Sequence, residues 1–222
     1  MSSFLIYDPE NYEYILQPLG YVCLSLLLFV LLAFVFLFAK RRKSRRVGTK
    51  ELVFCSMAMA LSTVASFIKF VNLPYGGSIT LFSMLFVSLI GYFYGPKTGL
   101  ITGVAYGVLQ LITGPYIYAP LQVLLDYPLA FGALGLSGFF HNKKYGLLTG
   151  YIVGVTGRYL SHVISGYIFF AEYAPEGMNA LLYTFGYNLT YVLPELLLTA
   201  VLLAVPAVKK AIGQVKQQAC AS

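Results

Sequence analysis

The 222-residue chain has no tryptophan, only 3 cysteines, 2 histidines and 8 acidic residues, and just 10% of its residues are charged. Soluble domains carry about 25% charged residues. A globule this poor in charge would expose apolar patches large enough to aggregate, so an ordinary soluble domain is excluded. Disorder is excluded too, because it requires low hydrophobicity and 59% of this chain is apolar. Cys23, Cys55 and Cys220 lie far apart with no CxxC spacing, which argues against a disulfide framework and against zinc. The chain has no GxxxxGK[ST], HExxH or GxSxG, so it carries no ATP-binding loop and no sign of a metalloprotease or serine hydrolase. No catalytic residue, metal or cofactor is expected. The missing tryptophan is unusual in another way: tryptophan normally shares the membrane interface with tyrosine, and here 19 Tyr and 17 Phe stand without it.

What is present is a series of apolar runs of membrane-spanning length. The clearest is Leu19–Ala39, free of charge and ended by Lys40–Arg46. A secretory signal has the opposite polarity, so this reads as an uncleaved span with its N-terminus outside. Six weaker spans follow, roughly Leu52–Phe70, Ile79–Tyr94, Thr98–Thr113, Leu121–Phe140, Tyr145–Phe170 and Tyr183–Val208. Alternating loops then place Lys40–Arg46, Lys50, Lys97, Lys143, Lys144, Lys209, Lys210 and Lys216 on one side, leaving Lys69 on the other and Arg158 within a span. This is the positive-inside pattern, with the C-terminus in the cytoplasm. The net charge of +7 therefore belongs to loops that meet anionic lipid, not to a nucleic-acid footprint. The expected architecture is an all-α integral membrane protein: residues 1–50 as an external N-terminus, an extra transmembrane helix and a basic linker, then residues 51–222 as a six-helix domain with a short cytoplasmic tail.

Ionisable and strongly polar side chains inside a bilayer mark functional sites by default. Arg158, His162 and Gly166 follow at i, i+4 and i+8 and share one helix face, as do Asn188 and Glu195 at i and i+7. Matching their depths predicts a deep Arg158–Glu195 pair and a shallower pocket of Asp126, His162 and Asn188 open to the outside. The alternative for all five is interhelical polar contact alone. Tyr116, Tyr118, Tyr127, Phe169, Phe170, Tyr173 and Tyr183 surround the same level. They read either as an interfacial belt or as the walls of a site for a flat or cationic ligand. Ser56 and Ala60 allow close approach of another helix.

Several blocks resemble a known family: Leu73-Pro-Tyr-Gly-Gly-Ser78, Leu121–Phe131, Gly132–Leu136, Arg158-Tyr-Leu-Ser-His162, Ser165–Phe170, Glu172–Pro175 and Tyr183 with Asn188. In this order they resemble the ThiT (YuaJ) thiamine transporters, the substrate-binding S-components of energy-coupling factor (ECF) importers, over roughly residues 51–210. The resemblance implies a six-helix S-component with a thiamine pocket near the outer face, driven by a transmembrane coupling subunit of the EcfT type and two ATPases of the EcfA type. By that resemblance the substrate-binding residues are Tyr116, Asp126, Tyr127, Arg158, His162, Gly166, Phe170, Tyr183 and Asn188, while Ser56 and Ala60 face the coupling subunit. Asp126 stands where the family is associated with Glu. One tryptophan position of the family matches Phe170. The other falls near Gly76-Gly77, with Tyr75 as a substitute. The implied protein is a multi-pass importer of the cell membrane and not an enzyme. A standalone proton-coupled thiamine carrier is the alternative.

Overall fold

Lipid tails are as apolar as leucine, so helices in a membrane associate through small residues that let backbones touch. Many of the described glycines sit where one element presses on another. The computed structural model describes residues 5–8, 13–19, 22, 47–73 and 77–221. The first span, Leu19–Ala39, falls almost wholly outside the described residues, as do Cys23, the basic run Lys40–Arg46, Tyr75 and Gly76.

The described residues are mostly helical: α1 (Thr49–Phe67), α2 (Ser83–Tyr94), α3 (Pro96–Gln110), α4 (Pro120–Phe140), α5 (Gly146–Phe169), α6 (Ala180–Ala204) and α7 (Pro206–Cys220). Among them, α1, α4 and α6 are long and apolar enough to cross a membrane. Two short antiparallel ribbons depart from the all-helical expectation: β1 (Leu5–Asp8) with β2 (Glu13–Leu16), and β3 (Lys69–Asn72) with β4 (Ser78–Thr80). The second ribbon replaces the predicted end of the Leu52–Phe70 span. Lys69-Phe-Val-Asn72 is rich in β-formers and runs into Leu73-Pro-Tyr-Gly-Gly77, whose Pro and Gly signal a turn. The helix therefore stops at Phe67.

The helices α1 to α6 alternate in direction. The C-terminal ends of α1, α3 and α5 meet the N-terminal ends of α2, α4 and α6 around one cavity, with the β3–β4 hairpin beside them. At the opposite end, Gly95 turns α2 into α3 at φ 90, and Pro96 opens α3 at its first position, where its missing N–H is harmless. Beyond Val205 the chain does not trail off but forms α7. There Lys216 reaches the His141 carbonyl at 2.7 Å over the Tyr92 ring, and the Tyr94 hydroxyl donates to the Ala219 carbonyl at 3.1 Å.

Two packing devices position the cavity. On α1, Cys55, Ala58, Ser62 and Ala65 turn inward, and the α1–α2 contact is among the most extensive in the bundle. Ser56 and Ala60 face away and are exposed. On α3, Gly99, Gly103 and Gly107 form a stripe at i, i+4 and i+8 laid directly on the backbone of α4. A Cβ at Gly103 would overlap the Phe131 carbonyl oxygen, and one at Gly107 the Tyr127 carbonyl oxygen. The α4 rod is itself irregular: it widens into a π-turn over Leu125–Leu129 and tightens to 3₁₀ geometry over Leu134–Phe140. Pro128 lies in the π-turn and has no N–H to give. The Leu125 carbonyl accepts from Ser161 Oγ of α5 at 2.7 Å. Glycine contact on one side and a serine bond on the other thus hold the widened turn.

Gly103→Ala should lower stability by about 1–3 kcal/mol through overpacking. Gly213→Ala, on α7 where an added methyl meets nothing within 4 Å, should be neutral or stabilising. Thermal unfolding of the two variants in detergent makes the comparison.

Candidate functional site

The π-turn presents two consecutive side chains, Asp126 and Tyr127, to the cavity. π-turns recur at functional sites because they re-aim side chains that a regular helix would place elsewhere. Asp126 is held from two helices. Gln122 Nε2, one turn earlier on α4, donates to Oδ2 at 2.6 Å, and His162 Nδ1 of α5 lies 3.0 Å from Oδ1. Arg158 Nε donates to His162 Nε2 at 3.2 Å. Arginine is always a donor, so Nε2 must accept and the histidine carries its proton on Nδ1, directed at the carboxylate. A single ordered chain results, from Arg158 through His162 to Asp126, with Gln122 on the far oxygen. A carboxylate has about four lone-pair sites, and these two donors leave others for a ligand. The Asp126 and His162 side chains are 16% and 11% exposed, so their hydrogen bonds act in a medium less screened than water.

Gln122 does more than hold Asp126. It is 1% exposed, and its Nε2 also reaches the Tyr116 carbonyl at 3.2 Å while its Oε1 accepts from the Tyr118 N–H at 3.0 Å. The Tyr127 hydroxyl accepts from the Tyr116 N–H at 2.7 Å. The α3–α4 loop is therefore latched to α4 by two neighbouring residues, bringing Tyr116 to the cavity. There Phe170 meets Tyr116 at 5.9 Å and Tyr118 at 5.3 Å between ring centroids. On the other wall Tyr183, Tyr187 and Tyr191 repeat every four residues along α6, with centroids 6.2 and 6.0 Å apart, and Tyr191 continues to the His162 ring at 6.1 Å. The cavity, about 170 Å³, is more than ten times what one water needs, so it is not a packing defect.

Eight of the nine residues singled out for binding line this cavity: Tyr116, Asp126, Tyr127, Arg158, His162, Phe170, Tyr183 and Asn188. Gly166 does not. It lies where α5 crosses α6, and an added Cβ would sit 2.5 Å from the Thr184 methyl; its role there is close approach of helices. Asn188 is turned into the same seam. Its amide donates to the Thr184 carbonyl at 2.9 Å, and its oxygen accepts from the Tyr191 hydroxyl at 2.5 Å. The expected Arg158–Glu195 ion pair is absent from the described residues. The Arg158 guanidinium instead lies over the Phe131 ring, 4.3 Å from its centroid. Glu195 is taken by the N-terminus of α2, accepting from the Met84 N–H at 3.2 Å and Ser83 Oγ at 3.1 Å. A helix N-terminus offers free N–H groups and a favourable dipole, and depth matching along the sequence did not weigh that competitor. Sequence reading also missed Gln122, Tyr187 and Tyr191. Gln122 stands at i−4 from Asp126 and the two tyrosines at i+4 and i+8 from Tyr183, so helical spacing carried the signal for all three.

A family model described as Thiamine transporter protein (Thia_YuaJ) matches residues 52–213. The chain is 34% identical over 148 residues to the thiamine transporter ThiT of Bacillus subtilis (strain 168), covering 60% of this chain and 77% of that protein. It is 27% identical over 185 residues to the thiamine transporter ThiT of Lacticaseibacillus paracasei, covering 75% and 89%. A solved structure of ThiT from Listeria monocytogenes matches at a TM-score of 0.58 and 27% identity, over 71% of this chain and 96% of that one.

Replacing Gln122 by Leu removes one donor from the Asp126 carboxylate and the side-chain acceptor of the Tyr118 N–H. The expected loss is about 1–3 kcal/mol. Thermal unfolding of Gln122→Leu reads it, and an unchanged midpoint would show that water replaces the amide.

Proposed function

Because the chain belongs to the Thia_YuaJ family of thiamine transporters, we propose that it binds thiamine in the Asp126–His162 cavity as the substrate-specific subunit of an ECF importer. The observation that carries the binding site is a carboxylate held by two neutral donors, with acceptor capacity to spare, facing an aromatic chamber. Thiamine is a permanent cation with two flat rings. In this reading Asp126 meets the aminopyrimidine and compensates the positive charge, Phe170 covers one ring face, and His162 and Tyr183 fix polar edges. Arg158 and Tyr127 set the orientation of His162 and Tyr116, and Gly166 and Asn188 set the spacing of α5 and α6. The second stacking surface is the Tyr187–Tyr191 part of the α6 ladder. A Cβ at Gly77 would lie 2.9 Å from the Tyr187 hydroxyl and 3.0 Å from the Tyr191 ring. These rings already occupy the side where the resemblance places a second tryptophan.

The coupling half of the proposal is supported by α1. Its small residues divide into an inward set that packs on α2 and an outward pair, Ser56 and Ala60. The outward pair is placed for a partner helix, here the transmembrane coupling subunit, which two ATPases would drive. Orientation is part of the same reading. Lys97, Lys143, Lys144, Lys209 and Lys210 gather at the end opposite the cavity and are exposed there, which suits a cytoplasmic face against anionic lipid. The cavity then opens outside, and residues 1–50 form an added anchor. The ordered Asp126–His162–Arg158 chain favours one rival, a standalone proton-coupled carrier.

Titrating purified protein with thiamine by calorimetry should show tight binding, and Asp126→Ala should weaken it by about 2–5 kcal/mol, as for one partner removed from a buried charge pair. Equal affinity in the two proteins would take Asp126 out of the site. For coupling, vesicles containing this chain alone under a proton gradient should take up no thiamine, and vesicles that also contain the coupling subunit and ATPases should take it up with ATP. Uptake by the chain alone would establish the carrier.

A further inference from the structure

Glu195 does not line the cavity, yet it is 3% exposed within the bundle. Besides the two donors of α2, its Oε2 accepts from Thr80 Oγ1 at 2.7 Å and from the Thr80 N–H at 3.4 Å. The four donors stand on both sides of Phe82, which among the described residues is the one non-glycine with left-handed backbone, at φ 58. That conformation is unfavourable for a bulky residue and persists only where the surroundings over-determine it. At this turn the chain leaves the β3–β4 hairpin and enters α2. One carboxylate therefore grips both ends of a strained junction, and the hairpin hangs from it.

The hairpin in turn covers the cavity. Lys69, Gly77, Ser78 and Thr80 line it, and Gly77 presses on Tyr187 and Tyr191 of the same α6 that carries Glu195. We propose that Glu195 is a positioning residue: it touches no ligand, but sets the angle of the hairpin over the cavity and thereby the rate at which ligand escapes. A carboxylate suits this place because it only accepts hydrogen bonds. An amide would turn an NH2 group toward the backbone N–H of either Thr80 or Met84. The inference rests on the cavity being the thiamine site.

The test uses the full chain in lipid nanodiscs, as Glu195→Gln and, more mildly, Thr80→Val, which leaves the carboxylate in place and removes one donor. Two quantities are read: thiamine dissociation by stopped-flow tyrosine fluorescence, and hydrogen exchange of amides 77–80 without ligand. Loss of a hydrogen bond to a charged group is expected to speed dissociation about tenfold in Glu195→Gln, with a smaller rise in Thr80→Val. Association should change far less. Exchange should rise in the hairpin but not in α5. Unchanged dissociation in the folded variants overturns the proposal. So does exchange that rises uniformly along the chain, which would make Glu195 a stabiliser of the whole bundle. Should the unmodified chain bind no thiamine, the ligand assignment falls by itself, and hairpin exchange in the ligand-free variants still decides whether Glu195 is the anchor.

Discussion

A carboxylate inside an apolar bundle survives only when its oxygens are occupied, and this requirement organises both halves of the molecule. Burying an unpaired charge is prohibitive, so Asp126 and Glu195 each collect donors from more than one element. Asp126 draws on α4 and α5, through Gln122 and His162. Glu195 draws on β4 and α2, through Thr80, Ser83 and Met84. The two acids divide the labour. The first keeps lone pairs free and faces a chamber. The second is saturated, faces none, and ties the covering hairpin to α6. The same residue type thus becomes a ligand group or a structural clamp according to how many donors surround it.

Those donors are in reach only because the helices approach closely. The glycine stripe of α3 rests on the α4 backbone at the level of the π-turn, so the turn that aims Asp126 cannot relax outward. Gly166 does the same for α5 and α6, bringing the Asn188 amide to within 3.4 Å of the His162 carbonyl. Replacing glycine–backbone contacts by leucine packing would move the helices apart by more than a hydrogen bond tolerates. Site geometry and helix packing are in this sense one constraint, which is why a residue predicted to touch ligand, Gly166, turns out to shape the site from behind it.

Much of this was legible beforehand, for reasons that also explain the rest. Helix positions followed from long apolar runs, and the shared face of Arg158 and His162 from their i, i+4 spacing. Depth was readable because rise per residue is fixed. Azimuth relative to a distant element was not. The sequence placed Arg158 and Glu195 at one level but gave no sign that the start of α2 would reach Glu195 first. The π-turn was equally hidden, since Pro128 announces an irregularity but not its kind. Gln122 was overlooked because an uncharged polar residue near a span end looks ordinary until its neighbours are known.

The lack of tryptophan takes on meaning against the α6 ladder. An indole on the hairpin would need room above Gly77, and the Tyr187 and Tyr191 side chains already fill it. At position 77 the two solutions exclude each other sterically: a large ring there, or a glycine closed over rings carried by α6. The second places the aromatic surface on a helix that is held by Asn188 and Glu195 rather than on the hairpin. Tyrosine suits this arrangement better than phenylalanine. Its hydroxyl fastens the ring, as Tyr191 is fastened to the Asn188 oxygen, while the face stays apolar for stacking. The aromatic surface is then carried by α6, the same helix whose Glu195 holds the base of the hairpin, so wall and cover are tied to one element.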